Sequence, residues 1–491
     1  MPPSELAPER VVIVGAGPAG LACAATLLEV SEMHVILVDA GAGPGGQYWR
    51  QPPPTDDPQG VNPEALRGLH HDLGTFESLR ARLDEGRAAG RATLLTEHHV
   101  WTVVPTAGGY VVHAVDRGAG PGRERTVEIG ADRLVIATGA HDRALPFPGW
   151  DLPGVMTAGG LQALLKAGDV AAGRRVAVGG TGPFLLPVAA GLAARGASVV
   201  GVFEANSPVR WLRELGPVVA NRGKLAEGAG YAATLVRHRV PVHVRTMIVE
   251  AHGVDRVEAV TVARVDGAGR PQRHGLRRLE VDAVGVGWGF SPQLDLPVTL
   301  GCALAPDTSG TAVVQVDDWQ RTSRPGVSAA GEACGVGGAA LAVAEGHLAA
   351  YGVVAGDAGS GPPAEVAGLR AVIARLRRFA SAMQRAHPVP AGWAETLRPS
   401  TVVCRCEEVS AGVVQRAISE RGATGARQVK QLTRAGMGWC QGRVCGHAVE
   451  LLAGGGGAAT ERLVSTPVPL GVLAHPRAKV QCNIALNAAA P

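Results

Sequence analysis

Short apolar runs that end in glycine turns organise the first two thirds of the chain. Arg10 to Val14 is a β-branched run without polar alternation, the pattern of a strand buried on both faces of a parallel sheet. Gly15-Ala16-Gly17-Pro18-Ala19-Gly20 follows, and Leu21 to Glu29 then reads as a helix. A second strand, His34 to Val38, ends at Asp39. The arrangement recurs near the middle of the chain. There Arg175 to Val178 predicts a strand, Gly179 to Phe184 a turn, Leu185 to Arg195 a helix, and Ser198 to Phe203 a strand that stops at Glu204. Two more strands run into glycine: Asp132 to Ala137 into Thr138-Gly139, and Ser328 to Ala330 into Gly331-Glu332. Gly337-Gly338-Ala339-Ala340 opens a helix to about Ala350. Strands alternating with helices in this way predict an α/β fold built on parallel sheets.

Composition narrows the class. Of 491 residues, 46% are hydrophobic and 18% charged, which excludes wholesale disorder. A net charge of +4 on so long a chain gives no electrostatic case for nucleic acid. The first ten residues carry no signal-peptide pattern, and the longest weakly polar run, Ala19 to Leu28, is about half of a membrane span. A cytoplasmic protein without a transmembrane segment is expected, with residues 1–9 a loose leader. The 68 glycines and 34 prolines suit tight turns and close backbone approaches. Four of the eight cysteines fall between 404 and 445, which points to metal or redox use rather than disulfides.

The first glycine turn has the context that makes GxGxxG informative. Gly15 permits the tight turn, Gly17 lets the backbone approach a pyrophosphate, and Gly20 lets the helix pack on the strand. Pro18 and Ala19 complete the turn at the positive helix N-terminus, where phosphates bind. Asp39, 19 residues beyond Gly20, is placed to bond a ribose hydroxyl. The second turn offers Gly180 and Gly182, with Glu204 as its acid, but Leu185 stands where the third glycine belongs. NAD(P), another adenine nucleotide and no ligand at all remain open for it. Glu332 suits either a hydroxyl of a bound cofactor or a helix cap.

The cysteines read CxC-x33-CxxxxC: Cys404 and Cys406, then Cys440 and Cys445. Two close pairs on separate loops suit four-thiolate ligation. A predicted helix, Ser410 to Arg421, lies between them, with Ser410 its cap and Gly422 its stop. Glycines 436, 438, 442 and 446 free backbone N–H groups to face sulfur. An iron–sulfur cluster, a structural zinc ion and unliganded thiols all fit the spacing.

The order GAGPAG, acid, Gly45-Gly46-Gln47, Ala137-Thr138-Gly139, second glycine turn, and Ala329-Ala330-Gly331-Glu332 resembles the flavoproteins with two dinucleotide-binding domains, such as glutathione and thioredoxin reductase. That resemblance implies two Rossmann-like domains, one inserted in the other, with FAD in the first. It implies that Gly15, Gly17, Gly20 and Asp39 hold the ADP half. Gly46, Gln47, Thr138, Gly139, Gly331 and Glu332 lie nearer the pyrophosphate, ribityl chain or ring, and Val100 joins the cofactor contacts. Disulfide reductases of that group carry a redox CxxC, which this sequence lacks. Cys23 and Cys334 are expected as buried small residues. The stretch VVCRCEEVS…GWCQGRVCGHAV resembles the bacterioferritin-associated-ferredoxin type of small helical [2Fe-2S] domain, which implies cluster ligation by Cys404, Cys406, Cys440 and Cys445.

ATGAHDRALPFPGWDLPGVMTAGGLQALLKAG and GGTGPFLLPVA resemble the α subunits of heteromeric amino-acid dehydrogenases, among them hydrogen cyanide synthase, opine oxidase and the proline and hydroxyproline enzymes. The resemblance implies a flavoprotein β subunit that oxidises the amine, an FMN between subunits in some members, and a quinone or other carrier as acceptor. Membrane association would then come through partners. No compact acid/base constellation is visible, so no catalytic residue is assigned. His70-His71 is read within a helix over 64–89, and His98-His99 before a strand, neither as a metal pair. Arg143 is read as a surface or linker arginine. The expected organisation is 10–150 and 276–350 for the FAD domain and 151–275 for the inserted unit. A linker and arginine-rich helix follow over 351–399, its basic stripe read as solvated. Residues 400–450 form the cluster domain and 451–491 an extended tail.

Overall fold

A computed structural model describes residues 8–52, 67–355, 364–454, 464–474 and 478–479. Two five-stranded parallel sheets dominate it. In the first, the order is Val327–Ala329, Arg133–Ile136, Arg10–Val14, His34–Val38, Ala92–Leu95. In the second it is Val242–Val244, Ser198–Glu204, Arg175–Gly180, Ala283–Gly287, Val155–Thr157. The first sheet takes strands from both sides of the second, so the second unit is inserted in the first. The crossover strands Ala140–Asp142 and Phe290–Pro292 pair antiparallel at the waist. Ala283–Gly287 belongs to the inserted sheet, so the chain returns to the first unit after Gly287 rather than at 276.

The opening run behaves as its pattern predicts. Val11 and Ile13 pack on the helix side with Leu21, Leu27, Leu83 and Ala349, while Val12 and Val14 enter the other core with Val112, Ile129 and Leu134. Each fully buried Ile or Leu side chain contributes about 1.5–3 kcal/mol. The helices Pro18–Val30 and Ala339–Val354 pack against each other through Gly346, where an added Cβ would lie 2.2 Å from the Ala19 carbonyl oxygen.

Several expectations change. His70 precedes the helix Leu73–Ala88 and bonds the Arg50 carbonyl at 2.7 Å, while residues 53–66 lie outside the described residues. His98 and His99 open the strand His98–Thr106. Arg143 is half-buried, not a surface arginine, and it donates to the Phe290 carbonyl and Thr311 hydroxyl at 3.0 and 3.1 Å. The helix Ala364–Ala386 is only partly solvated on its basic stripe. Arg370 lies over the Trp319 ring, Arg377 pairs with buried Glu345, and Arg385 pairs with Glu214. Residues 1–7 and most of the tail are outside the described residues. The described parts of the tail include Ser465 against Trp101, a short helix Leu470–Ala474, and Ala478–Lys479 pairing with Val127 and Glu128.

The cluster region is a small unit of its own. The strand Val402–Cys404 and helices Ala411–Ser419, Ala426–Thr433 and Gly446–Leu452 enclose Val403, Val414, Val429 and Val449, with Cys404 and Cys445 in the same core.

Candidate functional site

The first glycine turn is built for close approach. Gly15 has φ +110°, and an added Cβ would sit 2.2 Å from the Ala137 carbonyl oxygen. At Gly20 that Cβ would sit 1.8 Å from the Gly15 carbonyl oxygen, so both positions demand glycine. Gly17 differs: the nearest atom to its added Cβ is the Gly46 Cα, 3.9 Å away. The space over Gly17 is therefore open to a ligand. Gly17 is also the N-cap of Pro18–Val30 and offers no side chain of its own to bond the first-turn N–H groups. Open backbone donors at a helix N-terminus suit a pyrophosphate, so the residues fit a dinucleotide.

The acid is held rigidly beside them. Asp39 Oδ2 accepts from Ala16 N and Oδ1 from Gly41 N, both at 2.6 Å. Burial pushes its carboxyl up, and those N–H bonds pull the other way. Gly45 N donates to the Ala16 carbonyl, which presses Gly46 against Gly17. Gln47 is exposed and accepts from Arg50. Thr138 donates to the Gln293 carbonyl at 3.0 Å, and the Gly139 carbonyl accepts from Gln293 N. Gly331 has φ +79° and donates to Glu345 Oε2 at 3.0 Å. Glu332 accepts from Gly338 N at 3.1 Å, a bond that braces the turn before Ala339–Val354. The Val100 carbonyl takes Ser465 and Thr466 hydroxyls at 3.4 and 3.3 Å, so the tail covers it.

Sequence reasoning passed over the ion pair beneath this site. Arg377 Nη2 lies 2.5 Å from Glu345 Oε1, and its Nη1 donates to the Gly335 carbonyl at 2.7 Å. Burial pushes Glu345 up to about 7, against the pull of Arg377. The available signal was a lone acid in the apolar helix AALAVAEGHLAAYGVV.

The second turn has the same backbone but a different acid. Gly180 has φ +134° and its added Cβ would lie 1.8 Å from the Gly287 carbonyl oxygen, while Gly182 is open. Glu204 accepts from Thr181 Oγ1 at 3.0 Å, Gly182 N at 2.8 Å and Asn206 N at 2.8 Å. His387 Nδ1 faces it at 3.5 Å, and Asn206 Nδ2 donates to the Pro388 carbonyl at 2.8 Å. Trp211 Nε1 donates to His387 Nε2 at 3.0 Å, which fixes the ring. Burial pushes Glu204 up, but His387 and the two N–H donors outweigh it and hold the carboxyl below its usual range. The segment after Ala364–Ala386 thus covers the acid that a ribose would need.

The four cluster-region cysteines come together as two pairs. The Cys404 and Cys445 thiols bond one another and are both buried. Cys406, which is exposed, bonds the thiol and the N–H of half-buried Cys440. Gly436 N donates to Cys404 Sγ at 3.5 Å. An added Cβ at Gly438 would lie 2.2 Å from Cys406 Cβ, so that glycine is required for the pairs to meet. Among the described residues no three His, Cys, Asp or Glu side chains converge as a site for one ion. A zinc site needs four sulfurs about 2.3 Å from one centre, whereas paired thiols suit a two-iron cluster. Burial, then Cys404, pushes the Cys445 thiol up; a bound metal would favour its deprotonated form.

This loop is fastened to the first unit. Arg443 Nη2 donates to Asp295 Oδ2 at 2.8 Å and also to the Ser465 carbonyl. Asp295 lies two residues from Gln293, the partner of Thr138 and Gly139. Trp150 Nε1 donates to the Val402 carbonyl at 2.5 Å, and the Arg405 guanidinium lies 3.9 Å over the Trp150 ring. Behind the loop, burial and then Arg143 and His141 push His447 down to about 3, so its ring is neutral.

Residues 9–346 match the pyridine nucleotide-disulphide oxidoreductase family, and residues 402–453 match the BFD-like [2Fe-2S] binding domain. The HcnB component of hydrogen cyanide synthase from Pseudomonas aeruginosa is 33% identical over 441 residues, spanning 89% of this chain and 90% of that one. An opine oxidase subunit from Rhizobium meliloti is 34% identical over 487 residues, spanning 94% and 98%. The crystal structure of L-proline dehydrogenase from P. horikoshii shares the fold, with a TM-score of 0.63 at 21% identity over 96% of this chain and 81% of that one.

Proposed function

This chain belongs to the pyridine nucleotide-disulphide oxidoreductase family, with a BFD-like [2Fe-2S] binding domain after it, and on that premise we propose that it is the electron-transferring α subunit of a heteromeric amino-acid or imino-acid dehydrogenase. It is an FAD-dependent oxidoreductase with an iron–sulfur domain, and its relatives are subunits of larger enzymes. The observation that carries the proposal is the fastening of the CxxxxC loop, through Arg443 and Asp295, beside the Thr138-Gly139 strand end.

The residues divide the work. Gly17, Ala19 and Gly20 present open N–H groups to the pyrophosphate, Pro18 fixes the first helical turn without a donor of its own, and Asp39 takes a ribose hydroxyl. Gly46, Gln47, Thr138, Gly139, Gly331 and Glu332 border the rest of the flavin, with Val100 behind the tail. Cys404, Cys406, Cys440 and Cys445 ligate the cluster. FAD when bound accepts two electrons and passes them singly, and the cluster carries one at a time. Arg443 and Asp295 keep the two modules in register, and the buried Cys404–Cys445 side excludes water. The amine, in this reading, is oxidised at a flavin of a β subunit, with FMN at the interface and a quinone or other carrier as acceptor.

The rival is a self-contained NAD(P)H-dependent reductase using Gly180, Gly182 and Glu204. The engaged Glu204 carboxylate and the His387-Pro388 cover weigh against it. Expression alone and with neighbouring flavoprotein genes separates the two. Amine oxidation only in the copurified complex supports the reading as one component of a complex. Bleaching of the flavin by NADH or NADPH in the isolated chain refutes it. Among the described residues no helix is long and apolar enough to cross a membrane.

A further inference from the structure

Two cations meet at the turn after Gly46: Arg50 within it and Lys166 from the inserted unit. Lys166, in the inserted unit's helix Ala158–Gly168, is 4% exposed. Its ammonium donates to the Tyr48 carbonyl at 2.6 Å and lies 5.4 Å from the centre of the Tyr48 ring. Arg50 stands two residues beyond Tyr48 and donates to Gln47, while its Nε is buried with no hydrogen-bond partner. Burial, and then the Arg50 charge, push Lys166 down to about 8. No carboxylate among the described residues forms an ion pair with either group. Arg50 does act on Asp39, but both Asp39 oxygens are already held by Ala16 and Gly41.

Buried lysines are almost always paired, because an isolated ammonium in a low-dielectric site is costly. Here one buried lysine meets a second cation instead. Lys166 has three N–H donors and spends one on Tyr48, and Arg50 keeps Nε free. The turn that carries Arg50, and that Lys166 reaches from its helix, is pressed against Gly17 by Gly45 and Gly46, at the edge of the first glycine cradle. Two unpaired positive charges match an anion of two negative charges. A carboxylate supplies one, whereas a phosphoryl group or a pyrophosphate supplies two and accepts from both donor types.

We propose that Lys166 and Arg50 form a phosphoryl-binding site at the junction of the two units. The phosphoryl group has two sources: the pyrophosphate of the dinucleotide in the first cradle, or a separate phosphorylated small molecule beside it. Only the first source rests on the FAD reading given above.

The test uses the full chain, as purified and after flavin removal, with inorganic phosphate and pyrophosphate as probes in calorimetry and thermal-shift assays. Lys166→Met and Arg50→Gln are compared with wild type, and Lys166→Arg serves as the charge-conserving control. If the separate molecule is the source, the flavin-loaded protein binds the probes, and each neutral variant weakens binding at least tenfold with FAD content unchanged. If the dinucleotide is the source, only the stripped protein binds pyrophosphate, FAD competes with it, and each neutral variant weakens FAD at least tenfold. Lys166→Arg retains most of the effect in either case. The proposal is overturned if neither probe binding nor FAD affinity depends on Lys166 and Arg50. If Lys166→Met does not fold, Arg50→Gln and Lys166→Arg decide the same question. A preparation that never holds flavin yet binds phosphate through Lys166 would sink the FAD reading and leave this site standing.

Discussion

Replacing Arg443 with methionine tests the bond between the two redox modules. The Arg443 and Asp295 side chains are 20% and 13% exposed, so the pair is largely desolvated. Removing one partner of a fully buried pair costs about 3–5 kcal/mol. Residual solvent and the remaining interaction of Asp295 with the His141 ring reduce this, so we use about 2 kcal/mol. That corresponds to roughly a thirtyfold shift in the docking equilibrium of the cluster loop. The bond from Arg443 to the Ser465 carbonyl goes as well, which loosens the tail over Val100. The assay is rapid-mixing reduction of the complex, following flavin absorbance and the cluster's electron-paramagnetic signal separately. Flavin reduction should keep its rate while cluster reduction slows tenfold or more, and limited proteolysis between 387 and 399 should speed up. Arg443→Lys should recover part of the rate, because it keeps the charge but loses the planar fork. Asp295→Asn breaks the same contact away from the cysteines and guards against simple cluster loss. Wild-type cluster reduction in both Arg443→Met and Asp295→Asn, with the cluster intact, would refute the reasoning.

Other outcomes follow from the same bonds. Cys404→Ser or Cys440→Ser should abolish the iron–sulfur absorbance and acceptor reduction while sparing bound flavin, as visible spectra and iron content will tell. Glu345→Ala should lower stability by about 2–3 kcal/mol in denaturant titration, because it strands Arg377 and the Gly331 amide. Glu204→Ala should cost about 1–3 kcal/mol by leaving the Thr181, Gly182 and Asn206 donors unpaired, without altering turnover in the complex. Lys166 is pushed from 10.5 down to about 8, so the folded chain binds fewer protons than the unfolded chain between those values. Without an anion, stability should therefore rise with pH from about 8 to 10.5, by at most about 3 kcal/mol, and Lys166→Met should flatten that rise in pH-dependent melting.

The local chemistry of this protein could be read directly from its residues. Gly15 and Gly20 are glycines because any Cβ would strike a carbonyl within the same strand–turn–helix unit or the strand beside it, a constraint that a short motif declares. The β-branched run at Val11–Val14 and the paired cysteines are equally local, since strand periodicity and ligand spacing are properties of short stretches. Other features depended on packing between distant segments. Arg143 looked like a linker residue until Phe290 and Thr311 closed over it. The arginines of Ala364–Ala386 looked solvated until Glu345 and Glu214 met them. Glu204 looked like a ribose ligand until His387 and Pro388, nearly two hundred residues later, covered it. Arg443 and Asp295 are 148 positions apart, and no spacing rule connects them. A glycine turn declares itself because sterics act over a few bonds. An ion pair between units forms only after each unit has buried its own core and brought its surface charges to one place, and that step is written in the tertiary structure alone.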